Sequence, residues 1–332
     1  MKVIIDTDVG GDDMVGLLMA MAAAPSIMQV IAITTVFGNV NVEKSLRNVY
    51  PEFTPDDSWK SLFDDSVPPP DNQPEFYQYF NASHAPSHPD ILRILRDEPA
   101  NTITLIALGP LTNMALAAAE DPETFLRAKE LLIMGGAISV PGNISPVSEA
   151  NAYNDAAAAA RTYTLTSANL ASTFPTTDFS KVPLPAYRDR LSKQLNVTIF
   201  PMDLTNSHCI THNTFFNTVK PLADAGSPLS TLAYTFMKGI HDNCDKDCIF
   251  LPGTNEECIT LHDPVPVWYA LGRDFWNISE PKDLRVESLG QWTKGMHVEY
   301  QINMTAEANS PLSPGTRQGD RLRQALGSPG RD

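Results

Sequence analysis

"VIIDTDVGGDDMVGLLMAM", residues 3–21, passes from a β-branched apolar run through four aspartates, Asp6, Asp8, Asp12 and Asp13, into a helix-like pattern. A strand running straight into a helix is the opening half of a βα unit. Comparable runs recur as "VIAITTV" (30–36), "TITLIAL" (102–108), "ELLIM" (130–134) and "VTIFPMD" (197–203). Continuous apolar runs of this length suit strands buried on both faces, as parallel sheets require. "VGLLMAMAAA" (15–24) and "LTNMALAAAEDPETFLRA" (111–128) read as crossover helices. The alternation predicts an α/β fold: a mostly parallel central sheet flanked by helices, a Rossmann-like open sheet. Ligands in such folds lie beyond the carboxyl ends of the strands. The polar residues that follow each run therefore share one rim: Asp6 and Asp8, Gly38-Asn39, Gly109-Pro110, Gly135-Gly136 and Asp203.

With 332 residues and 42% hydrophobic content, and without an obvious internal repeat, the chain reads as one domain over 1–332. Residues 50–87, rich in Pro, Asp and Ser, are expected to form a loop or lid, followed by a helical "HPDILRILRD" (88–97). The polar, Gly- and Pro-punctuated residues 311–332 are expected to form a loosely ordered tail. A net charge of −15 repels phosphate backbones and anionic membranes, which argues against a nucleic-acid partner. The sequence contains no apolar stretch of about 18 residues, so no membrane span is expected. Its N-terminus lacks the pattern of a signal peptide, and a cytoplasmic address is expected. Cys209, Cys244, Cys248 and Cys258 are too few for a disulfide scaffold, and the Cys-x3-Cys spacing makes a poor zinc motif.

The aspartates pose an electrostatic problem. Converging carboxylates repel one another unless a cation joins them or some take up protons. Oxygen ligands without a His/Cys cluster select calcium or magnesium over zinc. Asp12 and Asp13 also suit the first turn of a helix, where they complement its dipole, but capping accounts for only part of the cluster. A second acidic group occurs in "ITLHDPVPVWYAL" (259–271), where His262-Asp263-Pro264 opens a helix-like run.

Taken together and in order, "DTDVGGDD", "TTVFGN", "LGPLTN", "GNISPVSEAN" and "HDP" resemble the inosine-uridine preferring nucleoside hydrolase family, over residues 1 to about 48 and about 88 to 310. The resemblance implies hydrolysis of the N-glycosidic bond of a small-molecule ribonucleoside, a calcium ion (Ca2+) in the pocket, and a homo-oligomer, dimer or tetramer. Matched by motif, the ion would be held by Asp8, Asp13, Asp263 and the carbonyl of Leu108. Ribose hydroxyls would meet Asp12, Asn39, Asn143, Glu149 and Asn151. Asp8 would be the base acting on water, and His262 would assist the leaving base. Taken singly, Asn39 and Asn143 read as turn residues and Glu149 as a solvated charge; the motif match alone gives them roles.

The chain also departs from the pattern. Relatives carry a further strand and a His-Gly motif where "EKSLRNVY" here meets "PEFTPDDSW", which implies an internal deletion near residues 49–51. They also commonly end in a closing helix beyond the last residues here. Val9 replaces a usual proline, and Ala150 a usual aromatic. Two alternatives follow: a catalytically impaired nucleoside- or ribose-binding paralogue or truncated isoform, and, from "DTDVG" alone, an aspartate-based phosphatase. The phosphatase would need a lysine near the shared motifs, and the sequence offers none there.

Overall fold

The computed structural model describes residues 1–38, 83, 85–168, 170, 184–188, 190–242, 249–250, 256–299 and 322–327. The strands are β1 (Lys2–Thr7), β2 (Gln29–Thr35), β3 (Ile103–Ala107), β4 (Glu130–Met134), β5 (Val197–Phe200), β6 (Cys209–Thr211), β7 (Ile249–Phe250), β8 (Glu257–Thr260), β9 (Asn277–Ile278), β10 (Leu284–Val286), β11 (His297–Glu299) and β12 (Leu322–Gly327). The helices are α1 (Gly11–Ala22), α2 (Ser87–Asp97), α3 (Thr112–Glu120), α4 (Pro122–Phe125), α5 (Ala150–Asn154), α6 (Ala156–Thr164), α7 (Met202–Thr205), α8 (His212–Asp224), α9 (Pro228–Asp242) and α10 (Pro264–Leu271).

Among the described residues, seven strands form the central sheet in the order β2-β1-β3-β4-β5-β12-β9. All neighbours are parallel except β12 and β9. The α/β architecture expected from the sequence is therefore present, with β1 paired on both sides. Alternate residues of the apolar runs point to opposite faces, as the pleat requires. Ile4, Leu105, Leu131 and Ile199 join one core with Ile91, Leu95, Met114 and Ala159 of α2, α3 and α6. Ile5, Ile106, Leu132 and Phe200 join a second core with Leu17 and Ala20 of α1 and Val265 and Val267 of α10. Helices thus cover both faces, which is why the strands read as continuously apolar.

The fifth run is a shorter strand than its sequence suggests. It stops at Phe200, and Asp203 lies in the following turn of helix α7. Residues 322–327 correct the expectation of a loose tail. They form β12, paired with β5 on one side and β9 on the other, with Gln324 and Ala325 buried. Pairing on both sides supplies an order that a composition of Arg, Gln and Gly does not signal. The lid expected over 50–87 and the junction near 49–51 lie almost wholly outside the described residues. Among those described, β2 is a sheet edge with Val30–Ile33 half-buried, and no helix is long and apolar enough to cross a membrane.

Candidate active site

The first acidic group forms where β1 ends. Thr7 accepts the Val9 amide on Oγ1 at 3.1 Å and donates the same hydroxyl to Asp13 Oδ1. Gly10 N donates to Asp13 Oδ2 at 2.8 Å, closing the first turn of α1 around a fully buried carboxylate. Between them Val9 adopts φ +56°, a region that β-branched residues rarely enter. Asp12 points across to another element. Its Oδ2 accepts the backbone N–H of His262 at 3.0 Å and of Asp263 at 3.3 Å. These amides precede α10, and helix entrances leave such donors unpaired. Asp12 therefore caps a helix 250 residues away rather than its own.

Gly16 makes this approach possible, because a Cβ there would meet the Asp263 carbonyl oxygen at 3.3 Å. One carboxylate oxygen each from Asp12, Asp13 and Asp263 then lie within 4.8 Å of one another. Asp8, buried at 2% exposure, is not part of this trio, although its charge acts on Asp263. Its side chain lies over two glycines: a Cβ on Gly38 would come within 1.8 Å of Asp8 Oδ2, and one on Gly109 within 3.0 Å of Asp8 Cβ.

Burial raises the pKa of Asp263 well above the usual aspartate range, and the charges of Asp12 and Asp13 push it further. Burial also raises Asp13, with Asp12 adding to the effect and hydrogen bonds from Thr7 and Gly10 opposing it. Among the described residues, no lysine or arginine pairs with any of the three. A set of buried oxygens that repel one another without a protein cation fits a hard divalent ion.

A second group lines the rim beyond β3 and β4. Asn151 Nδ2 donates to the Leu108 carbonyl at 2.7 Å, so that carbonyl already accepts one bond. Glu149, 2% exposed, caps α5: Oε1 accepts from Asn151 N at 2.7 Å, and Oε2 from Gly136 N at 2.9 Å and Ala152 N at 3.2 Å. Burial raises its pKa, these amides oppose the rise, and the charge of Asp12 adds to it. The Leu108 carbonyl bonded by Asn151 and the adjacent Gly109 lying against Asp8 tie the two groups into one site. Asn143 accepts from Ala150 N at 2.9 Å and closes the loop that presents Glu149. Asp203 holds the neighbouring turn through the amides of Ile138 and Ser139. Asn39 lies outside the described residues.

His262 follows β8 with its Nδ1 at 2.7 Å from Thr205 Oγ1. Burial lowers its pKa, against the pull of Asp12. Sequence reasoning gives no role to Thr205, nor to the buried bonds at the end of β1. There Asp6 Oδ1 accepts from Thr34 at 2.6 Å and from Asn113 at 2.8 Å, and burial raises the Asp6 carboxyl to about 7. Asn113 lies in "LGPLTN", a signal that the motif offered and that was read only for its carbonyl. Cys209 and Cys258 are free thiols on β6 and β8, and Cys244 and Cys248 lie outside the described residues.

Residues 3–52 and 60–313 match the sequence profile of the inosine-uridine preferring nucleoside hydrolases. The chain belongs to that family. It is 32% identical to uridine nucleosidase 1 of Arabidopsis thaliana over 184 residues, covering 48% of this chain and 52% of that protein. It thus spans about half the length of several of the curated relatives it matches. A longer match, 27% identical over 333 residues, covers 92% of this chain and 90% of the pyrimidine-specific ribonucleoside hydrolase RihA of Klebsiella pneumoniae. An inosine-guanosine nucleoside hydrolase structure superposes with a TM-score of 0.67 at 20% identity, over 98% of this chain and 94% of that one. The plant nucleoside hydrolase PpNRh1 gives 0.65 at 20% identity over the same shares. These two likenesses establish a shared fold.

Proposed function

We propose that the protein hydrolyses the N-glycosidic bond of ribonucleosides, giving ribose and a free base, with calcium held by Asp8, Asp13, Asp263 and the Leu108 carbonyl. The observation that carries this reading is the meeting of two acidic groups on one strand rim: Asn151, whose N–H Glu149 accepts, bonds the Leu108 carbonyl, and the next residue, Gly109, lies against Asp8. Asp12 joins the geometric trio, yet its Oδ2 is already engaged with two amides. The metal role therefore falls on Asp13 and Asp263, completed by Asp8 from the same turn. When bound, the ion orients vicinal hydroxyls and lowers the pKa of a water.

The chain's own residues supply the rest. Asp8 accepts a proton from the attacking water. The water oxygen bonds to C1′ and keeps its other hydrogen as the new hydroxyl while the C1′–N bond breaks; the bonding pair leaves with the base, which takes up one proton in return for the one Asp8 accepted. Positive charge that builds on the ribosyl ring is stabilised by the surrounding carboxylates more than the neutral substrate is. Asp12, Asn39, Asn143, Glu149 and Asn151 hold the sugar. Three amides occupy Glu149, leaving about one of its roughly four acceptor positions for a hydroxyl. Asn151 spends its amide hydrogens on backbone carbonyls, which leaves Oδ1 for the same purpose. His262 supports the leaving base, and a homo-oligomer, dimer or tetramer, is the expected assembly.

Names borne by relatives make uridine the first substrate to try, with inosine beside it. The test is release of reducing sugar with calcium or with chelator, run alongside Asp8→Ala. Turnover that needs calcium and disappears in the variant supports the reading. Binding without turnover, or equal rates in both proteins, contradicts it.

A further inference from the structure

Two anchors hold His262, and they come from different elements. Asp12, at the start of α1, takes its backbone N–H, while Thr205, at the end of α7, meets ring Nδ1 at 2.7 Å. Thr205 is fully buried, and among the described residues its hydroxyl has no other partner than that nitrogen. A hydroxyl can donate or accept, but a buried hydroxyl hydrogen left without an acceptor is costly. If Nδ1 carried the ring hydrogen, Thr205 would accept and its own hydrogen would be stranded. If Thr205 donates, Nδ1 supplies the lone pair and the ring hydrogen belongs on Nε2. The Nε2 atom has no hydrogen-bond partner among the described residues and is not sealed from solvent.

We infer that Thr205 is a positioning residue for His262, fixing the neutral ring with its hydrogen on Nε2 so that the ring gives the departing base a hydrogen bond. The inference rests on the nucleosidase reading above. Through this bond the base leaves with the C1′–N electron pair steadied by Nε2–H, and its proton comes from the water consumed in the reaction. The imidazole itself ends the step unchanged. Asp12 fixes where the ring is attached, and Thr205 fixes which edge faces outward. Without the hydroxyl the ring is free to turn about its Cβ–Cγ bond and to carry its hydrogen on either nitrogen.

The test compares a nucleoside with an activated riboside, p-nitrophenyl β-D-ribofuranoside, whose phenolate departs without such help. Thr205→Val should lower kcat on uridine or inosine by about 10²-fold, while the nitrophenyl riboside stays within a few-fold and Thr205→Ser restores most of the nucleoside rate. Equal loss on both substrates would overturn the inference by showing a purely structural role. No loss on either would overturn it as well. A wild-type protein that cleaves neither substrate defeats the nucleosidase reading and the inference with it, whereas failure in the variant comparison alone defeats only the inference. Should Thr205→Val not fold, 15N shifts of the neutral His262 ring in the wild-type protein decide the matter. Hydrogen on Nε2 is the expected result, and hydrogen on Nδ1 overturns the inference.

Discussion

The turn after β1 and the cap of α5 both present acids on the same rim, yet they solve the problem of a buried carboxylate in opposite ways. Glu149 receives three backbone N–H groups, so its charge is met by protein hydrogens. Among the described residues Asp263 has no such supply, and its side chain is bonded to Asp13, itself a carboxylate. The first arrangement is complete as it stands. The second becomes favourable only by protonation or by an outside cation. Motif matching gives Asp263 to an ion and Glu149 to the sugar without saying how either is held; their surroundings differ, carboxylates around the first and backbone amides around the second.

The largest expected effect breaks the cradle. Asp263→Asn should lower kcat/KM on the order of 10³-fold, a few kcal/mol of transition-state stabilisation. In chelator, the same variant should melt no lower than the wild type, because it removes a buried charge that burial and its neighbours disfavour. Calcium should then raise the melting temperature of the wild type and leave that of the variant unmoved. Steady-state kinetics check the first statement, and thermal melts with and without the ion check the other two.

Next comes Gly38→Ala. The new methyl group would need the space held by Asp8 Oδ2, 1.8 Å away, so Asp8 has to swing aside. Displacing a base by about 1 Å costs roughly 10²-fold in rate. Steady-state kinetics should show the loss in kcat, and an unchanged kcat would mean that Asp8 is not the base.

Glu149→Gln probes the other side of the comparison. The amide cannot accept on both heads, so either the Asn151 hydrogen or those of Gly136 and Ala152 together face an NH2 group. A stability loss of about 1–3 kcal/mol is expected from the mispaired donors, together with a raised KM for ribonucleosides. Urea denaturation beside kinetics would separate the two effects.

Asp6 gives a slope against pH rather than a loss of activity. Its carboxyl lies at about 7 when folded against an ordinary 3.8, so the folded chain holds a proton that the unfolded chain gives up first. Stability from this group is therefore greatest below about pH 4 and falls as pH rises towards 7. Asp6→Asn should flatten the pH dependence of denaturation over that window, and a slope identical to that of the wild type would refute the shift.

These contrasts also show what the sequence could disclose. The five β-branched runs were legible because burial on both faces leaves a continuous apolar signature. β12 was not, since its order comes from pairing with β5 and β9 rather than from its own residues. The resemblance joined Asp8, Asp13 and Asp263; the structure brings Asp13 and Asp263 close, with Asp12 rather than Asp8 as the third carboxylate of the trio. The capping of α10 by Asp12 was illegible, as it depends on Gly16 letting two distant helices approach. Thr205 carries no motif of its own and gains meaning only from the ring beside it.

Calorimetric titration of the chelated protein with calcium bears most directly on the cradle. One ion per chain should bind to the wild type, with affinity lost in both Asp13→Ala and Asp263→Asn. A wild type that takes up no calcium, or variants that bind it as tightly, would contradict the claim that these carboxylates converge in order to hold a cation.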